Sequence, residues 1–177
     1  LGCPRCRTDY PIEEGCADLR ADPAAGAAGA EEVLPYAEEE LPLKVAALVG
    51  VTAGPAFVYA APALAAAVEE AARLVPGVEW VTSGGAGERP GVSRVRVAGP
   101  RWPFARARLR GAALVAPSAA ELAEAARVLW PGARCVAFAA EAVEAAMWER
   151  AGFEVTAREG GTVVARRRYE PPARAEG

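Results

Sequence analysis

The stretch that decides the fold is residues 111–168, GAALVAPSAAELAEAARVLWPGARCVAFAAEAVEAAMWERAGFEVTAREGGTVVARRR. It opens with a short apolar run, 111–117, of the kind that forms a buried strand. Ser118 follows, with Glu121 three residues on. At that spacing a hydroxyl takes a free helix N–H while the carboxylate reaches back to the cap. Leu122, Ala125, Ala126 and Leu129 then recur at i, i+3, i+4 and i+7, one face of a helix. Pro131-Gly132 is expected to stop that helix. A second apolar run, 133–139, predicts the next strand. The helix after it is predicted over 141–151, with Val143, Ala146 and Met147 on one face and Gly152 in the left-handed closing position. FEVTA (153–157) and TVVARR (162–167) complete the stretch as two strands, with Gly160-Gly161 as their turn.

Moving towards the N-terminus, residues 45–68 carry no charge over 24 positions, by length alone a membrane-span candidate. Gly50, Gly54, Pro55 and Pro62 interrupt it, and alanine, which supplies much of the rest, gains little in lipid. The run divides instead into a helix (41–51), a turn (52–55), a buried strand (56–60) and a helix (63–75). In the last, Leu64, Val68, Ala71 and Val75 share a face while Glu69, Glu70 and Arg73 point outward. No transmembrane span is expected. Strands follow at 78–81 and 92–97, the second alternating Val92/Arg94/Arg96 with Ser93/Val95/Val97. The order predicts an α/β fold: a mostly parallel sheet with helices on both faces and an antiparallel edge.

The phrase EAARVLWPGARCVAF (124–138) resembles the "R-V-L-x-P-G-G" turn between the fourth helix and fifth strand of class I S-adenosylmethionine-dependent methyltransferases. Arg127, Val128, Leu129, Pro131 and Gly132 match, and Ala133 stands where the second glycine is usual. The order of elements extends the resemblance over residues 41–168. It implies a Rossmann-like methyltransferase fold, with S-adenosylmethionine (SAM) as the family's cofactor.

The functional positions depart from the family pattern. After its first strand the family carries D-x-G-x-G-x-G, whose glycines let the backbone approach the cofactor at a helix N-terminus. Here the place reads Tyr59-Ala60-Ala61-Pro62-Ala63. The glycines are gone, and Pro62 removes an N–H as well. Where the family has an acid for the ribose hydroxyls, this chain has Val81, Thr82 and Ser83, with no acid before Glu88. If the cofactor bound, Tyr59, Ala60, Ala61, Ala63, Thr82 and Ser83 would line it. The Gly-rich loop at 84–89 has no following lysine and opens no helix, so it is not a phosphate loop.

Near the start, Cys3-Pro4-Arg5-Cys6 is a C-x-x-C turn suited to zinc. CPRCRTDYPIEEGCADL resembles the second half of a Trm112-like zinc ribbon, through Cys3, Pro4, Cys6, Tyr10, Pro11, Ile12 and Gly15. A closed site needs four ligands, and the ribbon's first cysteine pair would lie upstream of Leu1. Cys3 and Cys6 are therefore zinc ligands only if the ribbon is completed there, and Cys16 reads as packing. The expected organisation is a degenerate ribbon-like segment (1–20), a linker (21–40), a methyltransferase-like domain (41–168) and a tail (169–177).

Charge is uneven although the net is only −3. Residues 9–40 are strongly acidic, whereas 89–110 hold seven arginines and no acid. The chain has no histidine, which excludes His-based triads, His ligands and His general bases. The cysteine pattern is not a disulfide framework, and a reducing, cytoplasmic setting is expected. Arg94, Arg96, Arg101, Arg106 and Arg108, interleaved with Trp102 and Phe104, suit a protein partner. The same residues suit RNA less well, and equally describe a solvated basic edge. The functional expectation is a catalytically degenerate methyltransferase-like protein that serves as an accessory subunit or interaction scaffold. An active SAM-dependent enzyme with a divergent loop is the alternative, and an RNA-binding module stands third. No catalytic residue is assigned.

Overall fold

A computed structural model describes residues 9–20, 39–84, 87–97 and 101–169. In chain order the elements are β1 (Ile12–Glu13), β2 (Cys16–Asp18), α1 (Leu41–Val49), β3 (Ala56–Ala60), a 3₁₀ turn (Pro62–Leu64), α2 (Ala65–Leu74), β4 (Val78–Thr82), β5 (Val92–Arg96), β6 (Leu109–Val115), α3 (Ala119–Val128), β7 (Leu129–Phe138), α4 (Ala145–Arg150), β8 (Phe153–Glu159) and β9 (Thr162–Arg167). They form one sheet in the order β1-β2-β5-β4-β3-β6-β7-β9-β8. Strands β2, β5, β4, β3, β6 and β7 run parallel, and β9 lies antiparallel between β7 and β8. The uncharged run at 45–68 is divided among α1, β3, the 3₁₀ turn and α2, and among the described residues no helix is long and apolar enough to cross a membrane.

Two apolar layers follow from the alternation of side chains along the strands. On one face Val45 and Val49 of α1 and Val68 and Ala71 of α2 meet Val58, Trp80, Val136 and Phe138. On the other, Leu122, Ala125 and Val128 of α3 and Trp148 of α4 meet Leu109, Leu114, Cys135 and Phe153. The Ser118 box forms as the spacing predicts. Its hydroxyl accepts the Glu121 N–H at 3.3 Å, and the Glu121 carboxylate accepts the Ser118 N–H at 2.9 Å. Ser118→Ala should lower stability by about 1 kcal/mol, read as a shift in urea midpoint. Gly160 and Gly161 both take positive φ (50° and 76°), the backbone twist that a two-residue hairpin turn needs.

Two boundaries differ from the expectation. Helix α3 stops at Val128 rather than at Pro131-Gly132, and β7 begins at Leu129, which pairs with Leu109. Leu129 is fully buried, so its apolar character satisfied the helical pattern while serving the sheet. Pro131 is tolerated because the ladder slips between Leu109 and Gly111, where no N–H is required of it. Helix α4 begins at Ala145, not at 141, because the Val143 carbonyl is taken by Arg158 at 2.6 Å and the chain stays in a turn until Glu144.

Cys3 and Cys6 lie outside the described residues. Among those described, no cluster of three metal-ligating side chains occurs, and Cys16 is buried with a free thiol. Strands β1 and β2 add a hairpin to the sheet, β2 lying parallel to β5. Asp18 is buried there and is held by Arg20, Nη2 to Oδ2 at 2.7 Å. The Arg20 hydrogen bond outweighs burial and lowers the Asp18 carboxyl from 3.8 to about 2. A depressed carboxyl stabilises the fold above its unfolded pKa, and that contribution disappears as pH falls through the folded value. The stability gap between the native chain and Asp18→Asn should therefore be constant above about pH 4 and shrink between pH 3.8 and 2, measured by urea unfolding across that window.

Candidate cofactor crevice

The chain runs outward from β3 through β4 to β5, then returns to place β6 and β7 on the other side of β3. The switch point lies between β3 and β6, and in open α/β sheets ligands bind outside the carboxyl ends of the strands at that point. The residues singled out for a cofactor do gather here, at the ends of β3 and β4, whose last residues Ala60 and Thr82 are register partners.

The two strand-end loops approach each other closely here. Past the end of β3 the Ala61 N–H remains bonded to the Ala113 carbonyl of β6 at 2.8 Å. Pro62 has no N–H, Leu64 N–H returns to the Ala61 carbonyl at 2.9 Å, and Ala65 N–H returns to Pro62. Of the donors on this turn, Pro62 has none and the N–H groups of Ala61, Leu64 and Ala65 are internally bonded, while Ala63 lies exposed at the rim. Across the gap, the chain after β4 packs directly on this turn. A β-carbon added to Gly84 would stand 2.4 Å from the Pro62 carbonyl oxygen and 2.9 Å from its Cα. The Thr82 hydroxyl, fully buried, accepts the Gly84 N–H at 3.2 Å.

The other wall is aromatic. Tyr59 is buried with the Trp102 ring stacked on it, centroids 3.9 Å apart and planes 29° from parallel, and Phe104 meets it edge-on at 6.3 Å. Burial pushes the Tyr59 phenol above its usual value, the Ser83 hydroxyl beside it pulls back, and the Glu121 charge adds to the rise. Trp102 is fixed from both sides of its backbone. Its N–H donates to Glu124 at 2.7 Å, and its carbonyl accepts from Arg127 at 3.1 Å. Glu124 and Arg127 are themselves paired through two hydrogen bonds, and the Arg127 hydrogen bond holds the Glu124 carboxyl below its ordinary value against the pull of burial.

The seven residues expected to face a partner do not form one surface. Trp102 is only 4% exposed and packs inward, and Phe104 is half-buried beside it. Arg94 is also buried. Its guanidinium donates to the Gly84 carbonyl at 3.3 Å, to the Gly87 carbonyl and to Glu69 of α2. Arg94 is therefore a tie that draws the loop after β4 onto α2, an internal role that its place in an alternating strand did not reveal. Arg96 stands 3.7 Å from Glu13. Of the seven, Arg101, Arg106 and Arg108 are the exposed ones. Sequence reasoning missed Glu124 and Arg127 as elements of the site. Their i, i+3 spacing was legible, but their reach to Trp102 was not.

No family model and no curated protein matches the chain. Solved structures do. A SAM-dependent methyltransferase from Aquifex aeolicus superposes with a TM-score of 0.56 at 13% identity, covering 75% of this chain and 99% of its own. The antibiotic-resistance methyltransferase Kmr gives 0.53 at 14%, covering 77% and 95%. A chain of the complex between the Haloferax volcanii Trm112 methyltransferase activator and a putative methyltransferase gives 0.52 at 17%, covering 67% and 70%. At these identities the likeness is one of fold: the domain is a class I methyltransferase-like, Rossmann-type α/β sheet.

Proposed function

We propose that this chain keeps the methyltransferase scaffold without its cofactor chemistry and serves as an accessory subunit or interaction scaffold. The observation that supports this most is the packing of Gly84 on Pro62 across the switch-point crevice. The two strand-end loops touch backbone to backbone in the place where a cofactor's ribose and amino-acid ends would enter, and Tyr59 with Trp102 fills the adjoining wall. The retained sheet is a rigid body suited to holding another protein. One structural neighbour comes from a complex with a methyltransferase activator, and residues 1–20 resemble the ribbon of that activator type. In this reading residues 1–20 are the ribbon-like segment, 21–40 the linker, 41–168 the scaffold and 169–177 the tail. Zinc enters only if cysteines beyond Cys3 and Cys6 complete the ribbon.

Thermal unfolding with and without cofactor tests the reading. A ligand present at 100 times its Kd stabilises the native state by about 2.7 kcal/mol, a shift of several degrees. No shift is expected with 1 mM SAM or S-adenosylhomocysteine. A shift of that size would favour the active enzyme with a divergent loop.

A further inference from the structure

At the opposite end of the sheet, beneath the amino ends of β3 and β6 and beside β7, the chain forms a groove of about 650 Å³. That lies within the roughly 300–1,000 Å³ range of small-molecule clefts. Its floor is the turn from Gly50 to Pro55, and its walls carry Arg110, Arg134, Arg166 and Trp130. Among the described residues no acid lines it.

Three features of this groove are unexplained by folding alone. Arg134 and Arg166 are direct cross-strand partners in the β7–β9 ladder, and like charges so placed repel. Arg134 has a partial structural role, donating to the Leu48 carbonyl at the end of α1 at 3.3 Å, but a guanidinium carries five N–H donors. Arg166 makes no ion pair among the described residues, although Glu154 stands opposite it on β8. Second, the Arg110 guanidinium lies over the Trp130 ring, 5.1 Å from its centroid. Third, Trp130 is 47% exposed while Trp80, Trp102 and Trp148 are all buried. An apolar ring at the mouth of an acid-free cationic groove costs solvation without contributing to the core.

We propose that this groove binds a nucleoside phosphate, free or as a unit of a single strand, with the phosphate on Arg134 and Arg166 and the base against Trp130. Guanidinium groups pair with phosphate through planar forks. An indole beside an arginine is a stacking platform for any base. The site lies at the far end of the sheet from the closed crevice and does not depend on it. An acidic peptide would satisfy the arginines but would leave Trp130 without a stacking partner, which is why the base-bearing anion is preferred.

The test uses the fluorescence of Trp130 in the full chain. Oligouridylate, ADP, pyrophosphate and polyglutamate are titrated separately at low salt. Saturable quenching by oligouridylate or by ADP is expected, with the tighter of the two identifying strand or free nucleotide. Trp130→Phe should abolish the signal. The Arg110→Gln/Arg166→Gln double variant, both positions exposed, should bind at least tenfold more weakly with an unchanged melting temperature. For the strand, each lost phosphate contact should lower the salt slope by about 0.7. Absence of saturable quenching, an unaffected double variant, or polyglutamate competing as well as the nucleotides would each overturn the proposal.

Discussion

Trp102→Ala is expected to destabilise the fold by about 3–5 kcal/mol, the usual cost of truncating a buried tryptophan. The ring stacks on Tyr59, which Phe104 meets edge-on from its own side, so truncation leaves a cavity beside Tyr59 that the Glu124–Arg127 clamp prevents from closing. That clamp holds both backbone groups of Trp102 in place. The segment carrying Trp102 therefore cannot sink to fill the space, and partial relaxation is what keeps such costs high. Equilibrium urea unfolding of the two proteins measures it. A loss below about 1 kcal/mol would mean that Trp102 packs loosely and that the aromatic wall is not a fixed part of the molecule.

Arg94→Met should cost about 3 kcal/mol, because it leaves the two loop carbonyls without their donor and takes from Glu69 one of its two arginine partners. The variant keeps the aliphatic stem and loses contacts to two loop carbonyls and to Glu69. Glu69 retains Arg89 at 3.2 Å, which limits the damage. The effect should be local as well as global. Amide exchange at Gly84, which packs on Pro62, should accelerate more than exchange in β6 or β7. Uniform acceleration would show that Arg94 contributes only to overall stability and does not hold the loop closed.

The sheet was legible because it is built from local signals. The apolar runs at 56–60, 111–117 and 133–139 each became a central strand, and Ser118 with Glu121 marked the start of α3. Residues 153–157 and 162–167 gave β8 and β9 because the Gly160-Gly161 turn specifies a hairpin through backbone conformation alone. The end of α3 was misplaced because Leu129 is buried in either a helix or a strand, and periodicity cannot separate them. The site was less legible. The absence of glycines after β3 raised the expectation of a missing cofactor loop, but gave no sign of what stands in its place. Tyr59 and Trp102 meet only after the sheet is assembled, and the segment bearing Trp102 has no periodicity to announce an inward face. Its arginines and aromatics read as a surface, whereas the structure takes Arg94 and Trp102 inward and leaves Arg101, Arg106 and Arg108 outside. The groove at Trp130 was hidden for a similar reason: Arg110, Arg134 and Arg166 lie in three strands that only the fold brings side by side.

The central claim, that the switch-point crevice is closed to a methyl donor, is tested most directly by isothermal titration calorimetry of the purified chain with SAM at up to about 1 mM. In the proposed reading, a missing ribose-binding acid alone corresponds to roughly 1.5–3 kcal/mol for a charged hydrogen bond, or about a tenfold to hundredfold loss of affinity. The Pro62–Gly84 contact adds a steric barrier to that loss. No saturable heat is predicted, either with SAM or with S-adenosylhomocysteine. Saturable binding with a micromolar Kd and a stoichiometry near one would contradict the account and show that the two loops part to admit the cofactor.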